Sequence, residues 1–397
     1  MVGMRSDLAP LEVPLFDLRL SEADKSAVRA TLDDGWLAMG RRTESFEHAL
    51  ADATGAREAV AVNSGTAALH LSLQALGVGA GDEVICPSLT FVATANAARY
   101  VGATVVFCES RGDGNLNLDP DDVERRITPR TRAVLAVHYA GYPADLPRLA
   151  DVCDRHGVML IEDASHACIS TLRGRACGTW GVSGCFSFFS NKNLTCGEGG
   201  AIITDDERLG SEARRLRSHG MSTTVLARHH GHADSYDVVG LGYNYRLDEM
   251  RASLALTQLG RIGEFLDQRQ SIVERYTERL RGLPVDIPDF DWPNLATSTD
   301  RVAHHIYPIL LPAEANRARV RQLMRERGVQ TSVHYPPVHR LTSFTADGPS
   351  PSLPRTEALA ARELTLPLFP TMTSAQQDLV CESLCRALEQ PDPGLEE

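Results

Sequence analysis

The chain has 397 residues, 43% of them hydrophobic, and a formal net charge of −12. That length and apolar share are enough for a sizeable core and favour two domains. The acidity argues against a nucleic-acid binder, which needs Lys and Arg to displace phosphate counterions, and against adhesion to an anionic membrane. Nine cysteines, an odd number with no CxxC pair, sit mostly in apolar runs. They read as reduced thiols of a cytoplasmic protein rather than as a disulfide framework or a zinc site. The opening MVGMRSDLAPLEVP has charges and two prolines but no apolar stretch behind them, unlike a signal peptide.

Ser21 to Leu32 predicts a first helix, with Ser21 as cap and Glu22 and Asp24 in its first turn. Glu44 to Thr54, closed by Gly55, predicts a second. The apolar run Ala59 to Val62 suits a buried strand, Asn63-Ser64-Gly65-Thr66 turns the chain, and Ala67 to Leu76 has helical spacing. The pattern repeats: strand Glu83 to Cys86, helix Phe91 to Tyr100, strands Val105 to Phe107 and Ala133 to Val137, helix Ala144 to His156, strand Val158 to Ile161. Continuous apolar strands alternating with helices indicate a largely parallel sheet covered on both faces. The fold class is therefore α/β, with a large doubly wound domain over 14–250. Asp248 to Leu280 predicts one long connecting helix. A smaller C-terminal α+β domain follows over 251–390, with strands at His305 to Leu311 and Gln330 to Val333, a helix at Glu314 to Arg327 and terminal helices. The tail 391–397 is expected to be disordered.

Three segments are candidates for chemistry. The turn Asn63-Ser64-Gly65-Thr66, between strand and helix, offers unpaired backbone N–H groups, the positive end of a helix and two hydroxyls, which suits a phosphate; an ordinary helix cap, a common turn, is the alternative that this segment alone favours. In Ile161-Glu162-Asp163-Ala164, an acid at the carboxyl end of a buried strand lies where α/β proteins keep their ligand crevice. Asp163 could face a cationic heterocycle nitrogen, or cap a helix. Lys192, in FSFFSNKNLTCGEGGAI, is the one lysine after Lys25. Arginine cannot form an imine, so a lysine alone among aromatics, hydroxyls and glycines suggests carbonyl chemistry, against the alternative of a structural pair with Glu198.

A phosphate turn, a strand-end acid and a lysine before a glycine turn, in that order, resemble the fold-type I pyridoxal 5′-phosphate (PLP) enzymes. The closest resemblance is to the DegT/StrS-type sugar aminotransferases, through GWLAMG, NSGTAAL, GDEVICPSLTFVATANA, VHYAGYPADL, IEDASHA, FSFFSNKNLTCGEGGAI, GYNYRLDEM and SVHYPPVH. The resemblance implies that Lys192 is the Schiff-base lysine and Asp163 the partner of the pyridine nitrogen. It further implies that Phe91 stacks on the ring, that Ser64, Gly65, Thr66 and Ser187 hold the phosphate, and that His166 lies near the phenolic oxygen. Asn244 would reach the phosphate of a neighbouring subunit, which implies a homodimer with shared sites. Pyridoxamine 5′-phosphate would be the intermediate form, L-glutamate the amino donor, and a nucleotide-linked keto-deoxysugar the acceptor. The GEGG after Lys192 resembles the branch that aminates C4. Trp36, Tyr335, His339 and the loop around His230 are candidates to line the sugar-nucleotide pocket; packing is the alternative for each. The histidines of that loop lack regular ligand spacing, so no metal is expected. Glu109-Ser110 departs from the family, which often ends that strand with aspartate. A keto-cyclitol aminotransferase and a non-catalytic sugar-nucleotide sensor are the competing functions.

Overall fold

The computed structural model describes residues 10–222, 236–290, 300–346 and 350–390. Its centre is a seven-stranded sheet: β1 (Glu58–Val62), β2 (Glu83–Pro87), β3 (Thr104–Cys108), β4 (Thr131–Val137), β5 (Met159–Asp163), β6 (Ser183–Ser187) and β7 (Gly200–Thr204), in the spatial order β1-β7-β6-β5-β4-β2-β3. Neighbours from β6 to β3 pair in parallel, whereas β7 runs antiparallel to both β6 and β1. Six strands therefore share one direction and present their carboxyl ends along one edge. The reversed strand β7 begins at that same edge with Gly200, opposite Val62 and Ser187. The phosphate-type turn, the strand-end acid and the glycine turn are brought together by this topology.

Alternation along the strands builds a core on each face. Ala59, Ala61, Val134 and Ala136 enter one apolar cluster with Phe46, Leu50 and Phe188; Val60, Val62, Ala133 and Leu135 enter the other with Leu69 and Leu71. A third cluster, around Tyr276, Ile309, Met324, Leu364 and Leu384, is the interior of the C-terminal part. That part contains a two-stranded antiparallel ribbon, Tyr307–Leu310 with Glu363–Leu366, and the helices Arg317–Glu326 and Ser374–Glu389.

Several expectations need correction. The long helix is two, Glu249–Leu259 and Ile262–Arg279, divided at Gly260 and Arg261, where glycine's low helix propensity meets a change of packing partner. The second helix begins in a sheet-domain cluster (Ile262, Leu266) and ends in the C-terminal one (Ile272, Val273, Tyr276), so it still joins the two. Gln330 to Val333 forms no strand; only Ser332 bridges to Thr365, on Glu363–Leu366, a strand that the terminal helical pattern concealed. The helix expected from Glu44 starts at Arg41, because the buried carboxylate of Glu249 accepts from the N–H groups of Gly40, Arg42 and Thr43 at 2.7–2.9 Å and supplies a cap that local sequence does not reveal. Val13 is fully buried in the C-terminal cluster and bridges to Val329, while Leu15 donates to Gln330 Oε1 at 3.0 Å. The start of the described chain thus packs with the smaller unit. The tail 391–397 lies outside the described residues.

Candidate active site

A cavity of about 420 Å³ opens at the carboxyl edge of the sheet. Ser64, Gly65, Thr66, Phe91, Asp163, His166, Ser187, Lys192 and Tyr335 all line it. The volume is in the usual range for a small-molecule or cofactor site.

The turn after β1 is a helix cap, and it borders the cavity. Ser64 is the N-cap of helix Gly65–Ala75, its side chain accepting from Ala67 N–H at 3.1 Å. The first N–H groups of that helix have no intrahelical acceptor and face an anion-friendly end. Two glycines make the cradle possible. A Cβ on Gly65 would lie 2.8 Å from Ser187 Cβ, and one on Gly200 would collide with Ser64 O and come within 2.7 Å of Gly65 N. Gly200→Ala must therefore displace the turn. We expect a destabilisation of about 1–3 kcal/mol and a loss of affinity for PLP of roughly tenfold or more, one decade per 1.4 kcal/mol, read by thermal melts and by titration of the cofactor's absorbance.

Asp163 ends β5 with 5% exposure. Its Oδ2 accepts from Thr94 Oγ1 at 2.7 Å and its Oδ1 from Ser165 N–H at 3.2 Å. The neighbouring Glu162 points to the opposite face. There it accepts from the N–H groups of Gly178, Trp180 and Gly181 at 2.6–2.8 Å, and from His138 Nε2 at 3.0 Å. Of the two adjacent acids one is consumed by a loop and the other faces the cavity.

Lys192 stands on the turn between β6 and β7, its amine 3.2 Å from His305 Nε2. Burial lowers its pKa to about 8, an effect opposed by the nearby Asp163 carboxylate. An amine near neutrality is both a nucleophile and a proton carrier. Chemical labelling of the cofactor-free chain should give half-maximal reactivity at Lys192 close to pH 8; Asp163→Asn should move that midpoint lower still. A midpoint above about 10, the range of a solvated lysine, would contradict the burial argument.

His166 is buried, its Nε2 3.0 Å from Tyr335 Oη, and its Nδ1 finds no partner among the described residues. Burial, with the Lys192 charge next, keeps its pKa well below the ordinary value, so the ring is neutral. Phe91 is 56% exposed at the cavity mouth, its ring 5.9 Å from that of Tyr335.

Other expected residues lie elsewhere. Trp36 is absent from the cavity lining and packs over Gly40, whose Cβ would meet its indole. His339 is buried between Ser88 Oγ at 2.6 Å and Glu357 Oε1 at 3.1 Å, bracing the C-terminal segment, and is not among the residues lining the cavity. Asn244 is exposed and outside the cavity of its own chain, its backbone bridged to Ser218. His230 lies outside the described residues. Glu109 serves packing: it accepts from Arg355 N–H, Thr356 N–H and Thr356 Oγ1 at 3.3, 2.9 and 2.6 Å, at the start of helix Pro354–Arg362. Sequence reasoning missed Thr94, one turn into the helix that Phe91 caps, and His305, Asn193 and His334. Among these, only the placement of Thr94 three residues after Phe91 offered a local signal.

These residues fit PLP. The glycine-lined cradle leaves space where a Cβ would stand, backbone N–H groups suit a phosphate, the amine suits an aldehyde, and the orphaned His166 Nδ1 awaits a polar partner. At the carboxyl edge of such a sheet, that chemistry defines the class: a PLP-dependent enzyme of fold type I. The chain belongs to the DegT/DnrJ/EryC1/StrS aminotransferase family, whose model matches residues 19–385. It is similar to the aminotransferase TlmJ from Streptoalloteichus hindustanus (35% identity, TM-score 0.87, covering 95% of this chain and 98% of that one). It is also similar to DesV from S. venezuelae, solved with a ketimine intermediate (35%, 0.86, 97% and 100%). A third, Spr1654 from Streptococcus pneumoniae, is solved in a PMP form (30%, 0.87, 96% and 99%) and in a PLP form. The protein is thus a PLP-dependent sugar aminotransferase. No helix among the described residues is long and apolar enough to cross a membrane.

Proposed function

We propose that this enzyme transfers the amino group of L-glutamate to C4 of a nucleotide-linked 4-keto-6-deoxysugar, in the cytoplasm, as a homodimer with shared active sites. The observation that carries the reading is the convergence of the Lys192 amine, the Asp163 carboxylate and the Ser64–Thr66 helix start on one cavity. PLP, when bound, supplies an electron sink for the donor's α-carbon. The chain supplies position and charge. Lys192 would hold the cofactor covalently and, when free, would carry the proton that moves from the donor's α-carbon. Asp163, braced by Thr94, keeps the ring nitrogen protonated. Ser64, Gly65, Thr66 and Ser187 would hold the phosphate, Phe91 would cover the ring, and the neutral His166 would serve the phenolic oxygen. Tyr335, beside Phe91 and His166, borders the sugar.

Two observations support a second subunit. Among the described residues lining the cavity, Lys192 is the one Lys or Arg, although glutamate and a nucleotide sugar bring carboxylates and phosphates. Apolar side chains are exposed along 238–241, with Val238 at 52%, Val239 at 57% and Leu241 at 82%, shortly before Asn244. Such surface is usually covered. Asn244 of one subunit then reaches the phosphate of the other. Mixing separately inactive Lys192→Ala and Asn244→Ala proteins should restore activity through hybrid dimers, to at most about half of the sites; no recovery despite demonstrated subunit exchange would refute the shared site.

The substrate assignment is tested with purified keto-sugar nucleotides and glutamate, the aminated carbon being read by NMR. Amination at C4 is expected. Amination at C3, or turnover of a keto-cyclitol instead, would overturn it.

A further inference from the structure

The surroundings of Lys192 contain a chain of three hydrogen bonds whose polarity can be deduced. Asn193 Nδ2 donates to the carbonyl oxygen of Ala303, which can only accept. That contact fixes the amide's orientation, so Asn193 Oδ1 faces His305 Nδ1 at 3.1 Å. An amide oxygen can only accept, so Nδ1 carries the imidazole proton. His305 Nε2 is then a bare lone pair, and it lies 3.2 Å from Lys192 Nζ.

The ring has little freedom to choose otherwise. His305 and Asn193 are 4% and 6% exposed. Arg269 Nη1 donates to the carbonyls of His304 and His305 at 3.0 and 3.1 Å, and His305 N–H donates to Ala140 O at 2.8 Å. His166 lies against the ring, with centroids 4.4 Å apart. Burial, then the charge on Lys192, keeps His305 neutral.

We propose that the Ala303 carbonyl, acting through Asn193, holds His305 in the tautomer that accepts a hydrogen bond from Lys192, making His305 a positioning residue for the reacting amine. Its consequence for catalysis rests on the aminotransferase reading above. An acceptor at this point directs one N–H of the amine towards His305 and favours its charged form over its neutral one. The opposite tautomer would present a donor and reverse both effects. The other titratable groups at this cavity are Asp163 and His166 from the end of β5, Glu198 from the glycine turn, and His334 and Tyr335 from the C-terminal segment. Asp163 favours the charged amine, so its contribution and that of His305 have the same sign.

The test is competitive labelling of the full-length, cofactor-free chain with trace acetic anhydride across about pH 6 to 10, followed by peptide mass spectrometry. The protein has only two lysines, so Lys25 serves as internal reference. His305→Leu should lower the Lys192 midpoint by about half a unit or more, since a hydrogen bond to the charged form raises a pKa. His305→Gln, which can offer an amide oxygen, should recover part of the shift. Asn193→Ala leaves His305 in place but frees its tautomer, and should also lower the midpoint. An unmoved midpoint in Asn193→Ala, with wild-type unfolding and Lys25 labelling, would overturn the proposal, and it decides the matter even if His305→Leu fails to fold. This labelling requires no turnover, so its failure is separate from failure of the aminotransferase assignment.

Discussion

Lys192→Ala is expected to abolish transamination, with a loss of at least about 10³-fold, because in the proposed mechanism one side chain carries both the covalent link and the proton transfer. The cavity offers no substitute. Among the described lining residues there is no second lysine, and burial holds the nearest bases, His166, His305 and His334, neutral with depressed basicity. The variant should still fold, since removing the Lys192 side chain takes away a buried cation and leaves His305 Nε2 next to space that water can fill. PLP should still bind through the Ser64–Thr66 cradle, reversibly and without the absorbance of the lysine-linked form. Turnover near the wild-type rate would remove Lys192 from the chemistry.

Asp163→Asn is the second large effect. Asparagine preserves the shape, and its oxygen can still accept from Thr94 Oγ1, which now donates to the carboxylate at 2.7 Å. What is lost is the charge. An adjacent opposite charge shifts a pKa by about 1–3 units, so we expect turnover to fall by roughly 10- to 10³-fold at constant fold. The same substitution lowers the labelling midpoint of Lys192, because the carboxylate now opposes the burial effect there. The two readouts separate electrostatic loss from misfolding: a slow variant with an unchanged midpoint would point to distortion.

The site was legible where a single residue carried an unusual local signal. Lys192 stood out because the chain uses arginine almost everywhere else, and Asp163 because an acid closed a buried apolar run. The carboxyl edge of the sheet then brought both to one cavity. Trp36 and His339 show the converse. One packs over Gly40 and the other lies between Ser88 and Glu357; local composition does not encode the direction of a side chain. His305 was invisible for a related reason: its contacts to Lys192 and Asn193 span 113 and 112 positions. The fold followed similar lines. Parallel strands declared themselves as apolar runs, whereas Glu363–Leu366 was hidden by a helical neighbourhood and the start of Arg41–Thr54 depended on Glu249, far along the chain.

Borohydride reduction of freshly purified, PLP-loaded protein tests the central claim most directly. Proteolysis and mass spectrometry should find a reduced phosphopyridoxyl group on Lys192, with Lys25 unmodified. A cofactor that leaves the reduced protein entirely, or one fixed at any other residue, would contradict the account.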